Sequence, residues 1–160
     1  RRLGRCWVLS SESLNDFWVA RRLGPEIYPE SQSGAWWEKQ FKGIRSPIKP
    51  ALLRQDRVAG LGNICASEIC FRAKVHPNYP TSNLGQEEWN ALSCSTSDYL
   101  NSLIKEEGDK EIQYVTQGGD LPRSFLVYGR EDQACSRCRH PIKRIKISGR
   151  ATFFCSFCTP

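Results

Sequence analysis

The sequence predicts a mainly α chain that ends in a β-hairpin, and three observations carry that expectation. The stretch Gln86–Glu107 places apolar residues at helical spacing over many turns. Lys143-Arg144-Ile145-Lys146-Ile147 alternates like a strand, Ser148-Gly149 makes a turn, and Arg150-Ala151-Thr152-Phe153-Phe154 returns. Two C-x2-C pairs, Cys135/Cys138 and Cys155/Cys158, bracket that hairpin.

Along the chain, Trp7-Val8-Leu9 reads as a short strand followed by a polar turn. Residues 12–23 support a helix, which Gly24-Pro25-Glu26 breaks. Trp36, Trp37 and Phe41 recur at helical spacing within Gly34–Lys42 and are read as core. A short helix is expected from Lys49 to Gln55, and a second from Ile64 to Ala73. Between them, Gly60 and Gly62 let the backbone turn tightly and approach something closely. The fragment Gly60-Leu61-Gly62-Asn63 begins like a dinucleotide fingerprint, but position 65 is Cys and no adequate strand precedes it. What remains is a glycine-rich loop at a helix N-terminus, where free N–H groups and the helix dipole favour a phosphate. Asn63 either donates to such a phosphate or caps the helix that starts at Ile64, and the residues alone do not choose.

His76-Pro77-Asn78-Tyr79-Pro80 is a rigid turn, and His76 is given no catalytic role. In the long helix the stripe Trp89, Leu92, Thr96, Tyr99, Leu100, Leu103 and Ile104 marks a packing face. Gln117–Arg123 is a glycine-rich loop, and Phe125-Leu126-Val127-Tyr128 leads into the hairpin.

The charge is unevenly placed. The chain of 160 residues carries 23 basic and 17 acidic side chains, a net +6. Arg137, Arg139, Lys143, Arg144, Lys146 and Arg150 lie in the last 28 residues with no acid among them, so the remainder is balanced at 17 against 17. A cationic end of this kind points to a polyanion. No apolar run is long enough to span a bilayer and no secretory leader is visible, so the chain reads as intracellular and not membrane-bound. It begins at Arg1 and contains no Met, which suggests a fragment of a longer protein.

Zinc takes four soft donors in a tetrahedron, and a C-x2-C turn aims two thiolates at one point. Two such turns with sixteen residues between them fit a zinc ribbon holding one structural Zn²⁺ through Cys135, Cys138, Cys155 and Cys158. Four thiolates and one Zn²⁺ leave the basic segment about +4, still strongly cationic. A hairpin this small buries little, so the metal supplies its folding energy. Of the other cysteines, Cys65 and Cys70 are read as small apolar packing groups.

Taken in order, several motifs resemble one family. Ile48-Lys49-Pro50-Ala51-Leu52-Leu53, Val58-Ala59-Gly60-Leu61-Gly62-Asn63-Ile64, Ala66-Ser67-Glu68 and His76-Pro77 resemble the helix–two-turns–helix region of the formamidopyrimidine-DNA glycosylase and endonuclease VIII family. Val127-Tyr128-Gly129-Arg130 and Arg150-Ala151-Thr152-Phe153-Phe154-Cys155 resemble its zinc-finger part. Arg1-Arg2-Leu3-Gly4 looks like its damage-probing loop, with Leu3 where the family has a Phe wedge. Cys65 stands where the family usually has Tyr.

The resemblance implies three parts: residues 1–24 as the edge of an N-terminal domain, 25–126 as the helix–two-turns–helix domain, and 127–160 as the finger. It implies that Asn63, Arg150 and Lys49 meet phosphates near a lesion, that Arg1 or Arg2 fills the void left by an extruded nucleotide and faces the orphaned base, and that Leu3 wedges between bases. Gly60, Gly62 and Tyr128 complete the expected DNA-binding set, and Asp109–Phe125 corresponds to the loop that covers an extruded purine. The partner is damaged double-stranded DNA, bound by a monomer with no obligate protein partner. The implied activity is that of a bifunctional glycosylase and abasic-site lyase acting on oxidised purines. The family's nucleophile is an N-terminal proline beside a glutamate, a start this chain does not have, so the chain alone is expected to bind DNA and cut little. The alternative is a zinc-finger DNA-binding module without catalysis.

Overall fold

The computed structural model describes residues 8–28, 31–107 and 125–160. The expected loops at Arg1-Arg2-Leu3, at Gln117–Arg123 and over most of Asp109–Phe125 lie outside the described residues.

Among the described residues, five α-helices and a 3-10 turn (Thr81–Asn83) precede one two-stranded sheet: α1 (Ser11–Arg21), α2 (Gly34–Phe41), α3 (Ile48–Leu52), α4 (Asn63–Arg72), α5 (Gln86–Glu107), β1 (Lys143–Ile147) and β2 (Arg150–Phe154). The chain is thus mainly helical with a C-terminal antiparallel hairpin, as the sequence predicts. Val8 and Leu9 lie in no strand, which corrects the reading of Trp7-Val8-Leu9. Val8 is almost fully exposed, so nothing in the described residues pairs with or covers that segment. Helix α1 follows as expected, with the Ser10 hydroxyl accepting from the Ser13 N–H at 3.3 Å.

Packing explains why the later helices hold. Trp37, Phe41 and Trp89 form a stacked aromatic ladder across α2 and α5, with ring centroids 5.9 and 5.7 Å apart. Gly34 lets the start of α2 cross α5, because a Cβ there would lie 2.8 Å from the Asn90 backbone nitrogen. Ile48, Leu52, Val58, Ala66, Ile69, Leu92 and Tyr99 close the core beneath this ladder. The α5 stripe runs as predicted from Trp89 through Tyr99, but Ile104 is 43% exposed. The helix outruns the core there, so the spacing continues after its packing partners among the described residues have ended.

Helix α3 is short and needs outside support. The Ile48 N–H donates to the Tyr79 carbonyl at 2.8 Å and the Lys49 N–H to that of Pro77 at 3.2 Å. The His76–Pro80 turn therefore satisfies the first N–H groups of α3, which have no partner within the helix. His76 keeps the turn role expected of it: its Nδ1 accepts from Asn78 and its ring meets Phe154 edge-on at 4.8 Å.

The hairpin strands fall where the sequence places them, and they pair with Lys143 opposite Phe154 and Ile147 opposite Arg150. Its turn uses φ of +46° at Ser148 and +78° at Gly149, the left-handed pair that matches the twist of a two-residue hairpin.

Candidate nucleic-acid interface and metal centre

The loop between α3 and α4 sets the first half of the site. Gly60 adopts φ +94°, a conformation that favours glycine, and its N–H donates to Gln55 Oε1 at 3.0 Å. Gln55 Nε2 donates to the Leu61 carbonyl at 2.9 Å, so one amide braces both sides of the turn. Gly62 is the N-cap of α4 and Asn63 its first residue, with no side-chain cap. The capping reading of Asn63 is therefore incorrect: its side chain turns away from the helix end toward Lys49 and β2. Its Nδ2 donates to the Ala151 carbonyl at 3.1 Å.

Lys49 is the centre of this arrangement and only 1% exposed. Its Nζ donates to Asn63 Oδ1 at 2.6 Å, to Thr152 Oγ1 at 2.9 Å and to the Ala151 carbonyl at 3.1 Å. Burial lowers its pKa to about 8, and the neighbouring Arg150 guanidinium pushes in the same direction. Cys70 is neutral, its thiol pushed up to about 12 by burial. Arg150 begins β2 and is exposed beside these groups. Lys49, Pro50, Leu53, Ile147, Ser148 and Arg150 line a surface depression of about 220 Å³, with no acid among them. The structure thus brings Lys49, Asn63 and Arg150 together from three elements. Tyr128 stands apart: its ring packs edge-on against Phe153 at 4.9 Å in the finger core.

The cysteine pairs meet at the other end of the hairpin. The sulfurs of Cys135, Cys138, Cys155 and Cys158 all lie within 4.8 Å of one another, with Cys135–Cys158 at 3.9 Å and Cys138–Cys155 at 3.4 Å. A tetrahedral zinc with Zn–S of about 2.3 Å places its sulfurs about 3.8 Å apart. Four thiolates at that spacing fit one structural Zn²⁺, and no water or substrate position is left over. The backbone supports the first turn, where the Arg137 N–H points at Cys135 Sγ at 3.4 Å and the Arg139 N–H donates to the Cys135 carbonyl at 2.9 Å.

Two residues outside the predicted set fasten this metal-bearing part to α4. Glu68 is fully buried, and its carboxylate accepts three consecutive backbone N–H groups, Leu126 at 2.9 Å, Val127 at 2.9 Å and Tyr128 at 2.8 Å. Arg137, inside the first C-x2-C, donates to the Phe71 carbonyl at 2.8 Å and to that of Arg72 at 3.3 Å. Its guanidinium also lies 4.4 Å from the Phe71 ring centroid. Arg137 therefore satisfies carbonyls at the C-terminus of α4 and complements the helix dipole. A buried acid in a sequence can draw notice, but its partners here are 58 to 60 residues away and leave no local pattern.

Fold and site define a helical domain carrying a docked zinc hairpin. Residues 23–114 match the formamidopyrimidine-DNA glycosylase H2TH domain, and residues 132–160 match the zinc finger found in FPG and IleRS. This chain belongs to the formamidopyrimidine-DNA glycosylase family. It is 35% identical to the formamidopyrimidine-DNA glycosylase of Zymomonas mobilis, over 99% of this chain and 59% of that protein. With the enzyme of Aromatoleum aromaticum it shares 38% identity over 85% of this chain and 51% of the other. Among solved structures, a complex of the Lactococcus lactis Fpg with DNA containing an abasic site is similar at TM-score 0.80 and 32% identity, covering 94% of this chain and 56% of that one. A complex of MutM with DNA containing carbocyclic 8-oxo-G gives TM-score 0.80 at 31% identity, over 94% and 55%. The chain thus spans about six-tenths of the length of the curated relatives it matches along its full extent.

Proposed function

We propose that this chain is the DNA-gripping part of a base-excision repair glycosylase and abasic-site lyase that removes oxidised purines, acting inside the cell as a monomer on damaged duplex DNA. One observation carries the reading: Lys49 and Arg150 line one cationic depression, and Asn63, 87 positions before Arg150, is hydrogen-bonded to Lys49 and to the start of β2. Phosphates are bound by donors and positive charge fixed in advance of contact, and such contacts set affinity without reading sequence. The α3–loop–α4 unit is the helix–two-turns–helix of this reading, and Arg150 at the hairpin tip is its second grip. Together they would hold the backbone on both sides of a kinked step, from which a damaged nucleotide is turned out. Arg1, Arg2 and Leu3 retain their proposed place as the probing loop, and Gly60, Gly62 and Tyr128 as supporting DNA-side positions. Residues 25–126 and 127–160 are proposed as the two binding domains, and residues 1–24 as the edge of a further one.

The named relatives' glycosylase activity requires a nucleophile, and the amine in this site is badly placed to be one. All three protons of Lys49 Nζ already point at internal acceptors. The 160-residue chain is therefore proposed to bind and to cut little.

The test is binding of the zinc-loaded chain to a duplex with one abasic site, followed across salt concentration, with borohydride trapping run in parallel. Expected are tight binding with a steep salt dependence, an affinity about tenfold lower in both Arg150→Ala and Asn63→Ala, and little trapping. Salt-independent or undetectable binding, or normal affinity in both variants, would overturn the DNA reading. Efficient trapping would overturn the claim that the chemistry lies outside these residues.

A further inference from the structure

The geometry assigns Lys49 a role distinct from phosphate contact: we propose that it is a positioning residue, an internal tripod that sets the Asn63 amide and ties the start of β2 to α4. This rests on the proposed DNA-binding function of the site and deepens it. An ammonium group has three N–H donors and no acceptor. Here all three are used inside the protein, one on α4 at Asn63, two on β2 at Ala151 and Thr152. A side chain that is 1% exposed and has no donor left cannot reach a phosphate without giving up one of these bonds.

The consequences for Asn63 are specific. With Oδ1 fixed by the ammonium and one Nδ2 proton on the Ala151 carbonyl, the amide has a single orientation and one Nδ2–H remaining. Lysine thus decides that Asn63 presents a donor rather than an acceptor outward. Thr152 is fully buried and uses its own hydroxyl proton on the Arg150 carbonyl at 3.3 Å, so the same contact chain reaches the backbone of Arg150. One buried charge therefore sets the Asn63 amide and ties it to the strand that begins at Arg150, leaving the exposed guanidinium of Arg150 itself free of this contact chain.

Among the described residues, the groups facing Lys49 are few. From α4 they are Asn63 and the neutral Cys70 thiol, and from β2 they are Thr152, the Ala151 carbonyl and the Arg150 guanidinium. No carboxylate among them pairs with the ammonium. With its pKa at about 8 it loses a proton, and so one leg of the tripod, within an accessible pH range.

The experiment uses the zinc-loaded chain and a short duplex with one abasic site, comparing the wild type with Lys49→Met, Lys49→Arg, Asn63→Ala and Arg150→Ala. Methionine keeps the stem and removes all three donors. Expected is a roughly tenfold loss of affinity in Lys49→Met, with no further loss when Asn63→Ala is added, because both break one unit. A phosphate contact by a cation contributes about 0.9 to the slope of log affinity against log salt. The slope should therefore fall by about that amount in Arg150→Ala and stay at the wild-type value in Lys49→Met. Lys49→Arg keeps the charge but not the compact three-way geometry, and should remain weakened.

The wild type alone gives a second readout: affinity should decline from pH 7 to 9 while the salt slope holds. A slope that falls by about one in Lys49→Met, or full affinity in Lys49→Arg, would show direct phosphate contact and overturn the tripod. Unchanged affinity in Lys49→Met beside a weakened Arg150→Ala would also overturn it while leaving the DNA reading intact. Unchanged affinity in every variant would remove the DNA reading itself.

Discussion

The helical body and the cysteine-bearing hairpin are held together by different chemistry, although they share one surface. The body buries a continuous apolar core of residues drawn from Ile27 to Tyr99 in sequence, with Trp37, Phe41 and Trp89 stacked within it. The hairpin side has a six-residue buried cluster, of which Cys135 and Cys155 are metal ligands and Phe71 belongs to α4. That leaves Val127, Ile142 and Phe153 in the cluster, and Ile147 and Phe154 are buried beside it. At about 1.5–3 kcal/mol for each buried large side chain, five of them cannot offset the entropy of ordering some thirty residues. The comparison teaches that a strong local constraint can stand in for a core, provided that something else docks the piece in place. Zinc supplies the constraint, and Glu68 and Arg137 supply the docking.

The most drastic way to break the contrast is to remove the metal. Structural zinc contributes on the order of 10 kcal/mol to folding of such small units at neutral pH. Chelation should unfold residues 132–160, raise their protease sensitivity and abolish the proposed DNA binding. The five tryptophans all lie before the hairpin, so their fluorescence and the helical circular dichroism should persist. Loss of both signals in the same step would mean that the body depends on the hairpin and that the two are one folding unit.

A smaller effect tests the docking. Glu68→Ala leaves three N–H groups without their acceptor, two of them close to the buried Val127. The expected cost is about 3 kcal/mol of stability, read by denaturant unfolding, with zinc stoichiometry unchanged at one. A cost below about 0.5 kcal/mol would show that water replaces the carboxylate and that docking rests on Arg137 and the apolar contacts.

The smallest expected effect sharpens the picture of the first metal turn. Arg139 holds φ at +67°, a left-handed conformation that strains a residue with a Cβ. Arg139→Gly should stabilise the zinc-loaded hairpin by about 1 kcal/mol, seen as slower release of zinc to a chelator. Faster release would mean that the arginine side chain contributes more than its backbone costs.

Much of this was legible in the sequence wherever the signal was local. The α5 boundaries fall at the predicted Gln86 and Glu107, because the apolar stripe repeats with the helix itself. The hairpin strands and their turn appear where alternation and Ser148-Gly149 place them. The four zinc ligands were fixed by two short spacings, which are set by covalent geometry rather than by the rest of the chain. Ile104 shows the limit of that logic, since spacing carries no information about where packing partners stop.

Contacts between distant residues had no such trace. Asn63 offered equal grounds for a helix cap and for a phosphate contact. Lys49 and the Ala151 carbonyl, 88 positions away, hold its side chain away from the cap position. Glu68 and Arg137 look like ordinary surface charges in sequence, and only the packing of the hairpin on α4 gives their charged groups partners. The sequence by itself determined the helices, the hairpin strands with their turn and the metal site, since each depends on residues a few positions apart. The burial of Lys49, the orientation of Asn63 and the docking of the finger were decided by tertiary structure. Burial and long-range hydrogen bonds exist only once three separately encoded elements have met.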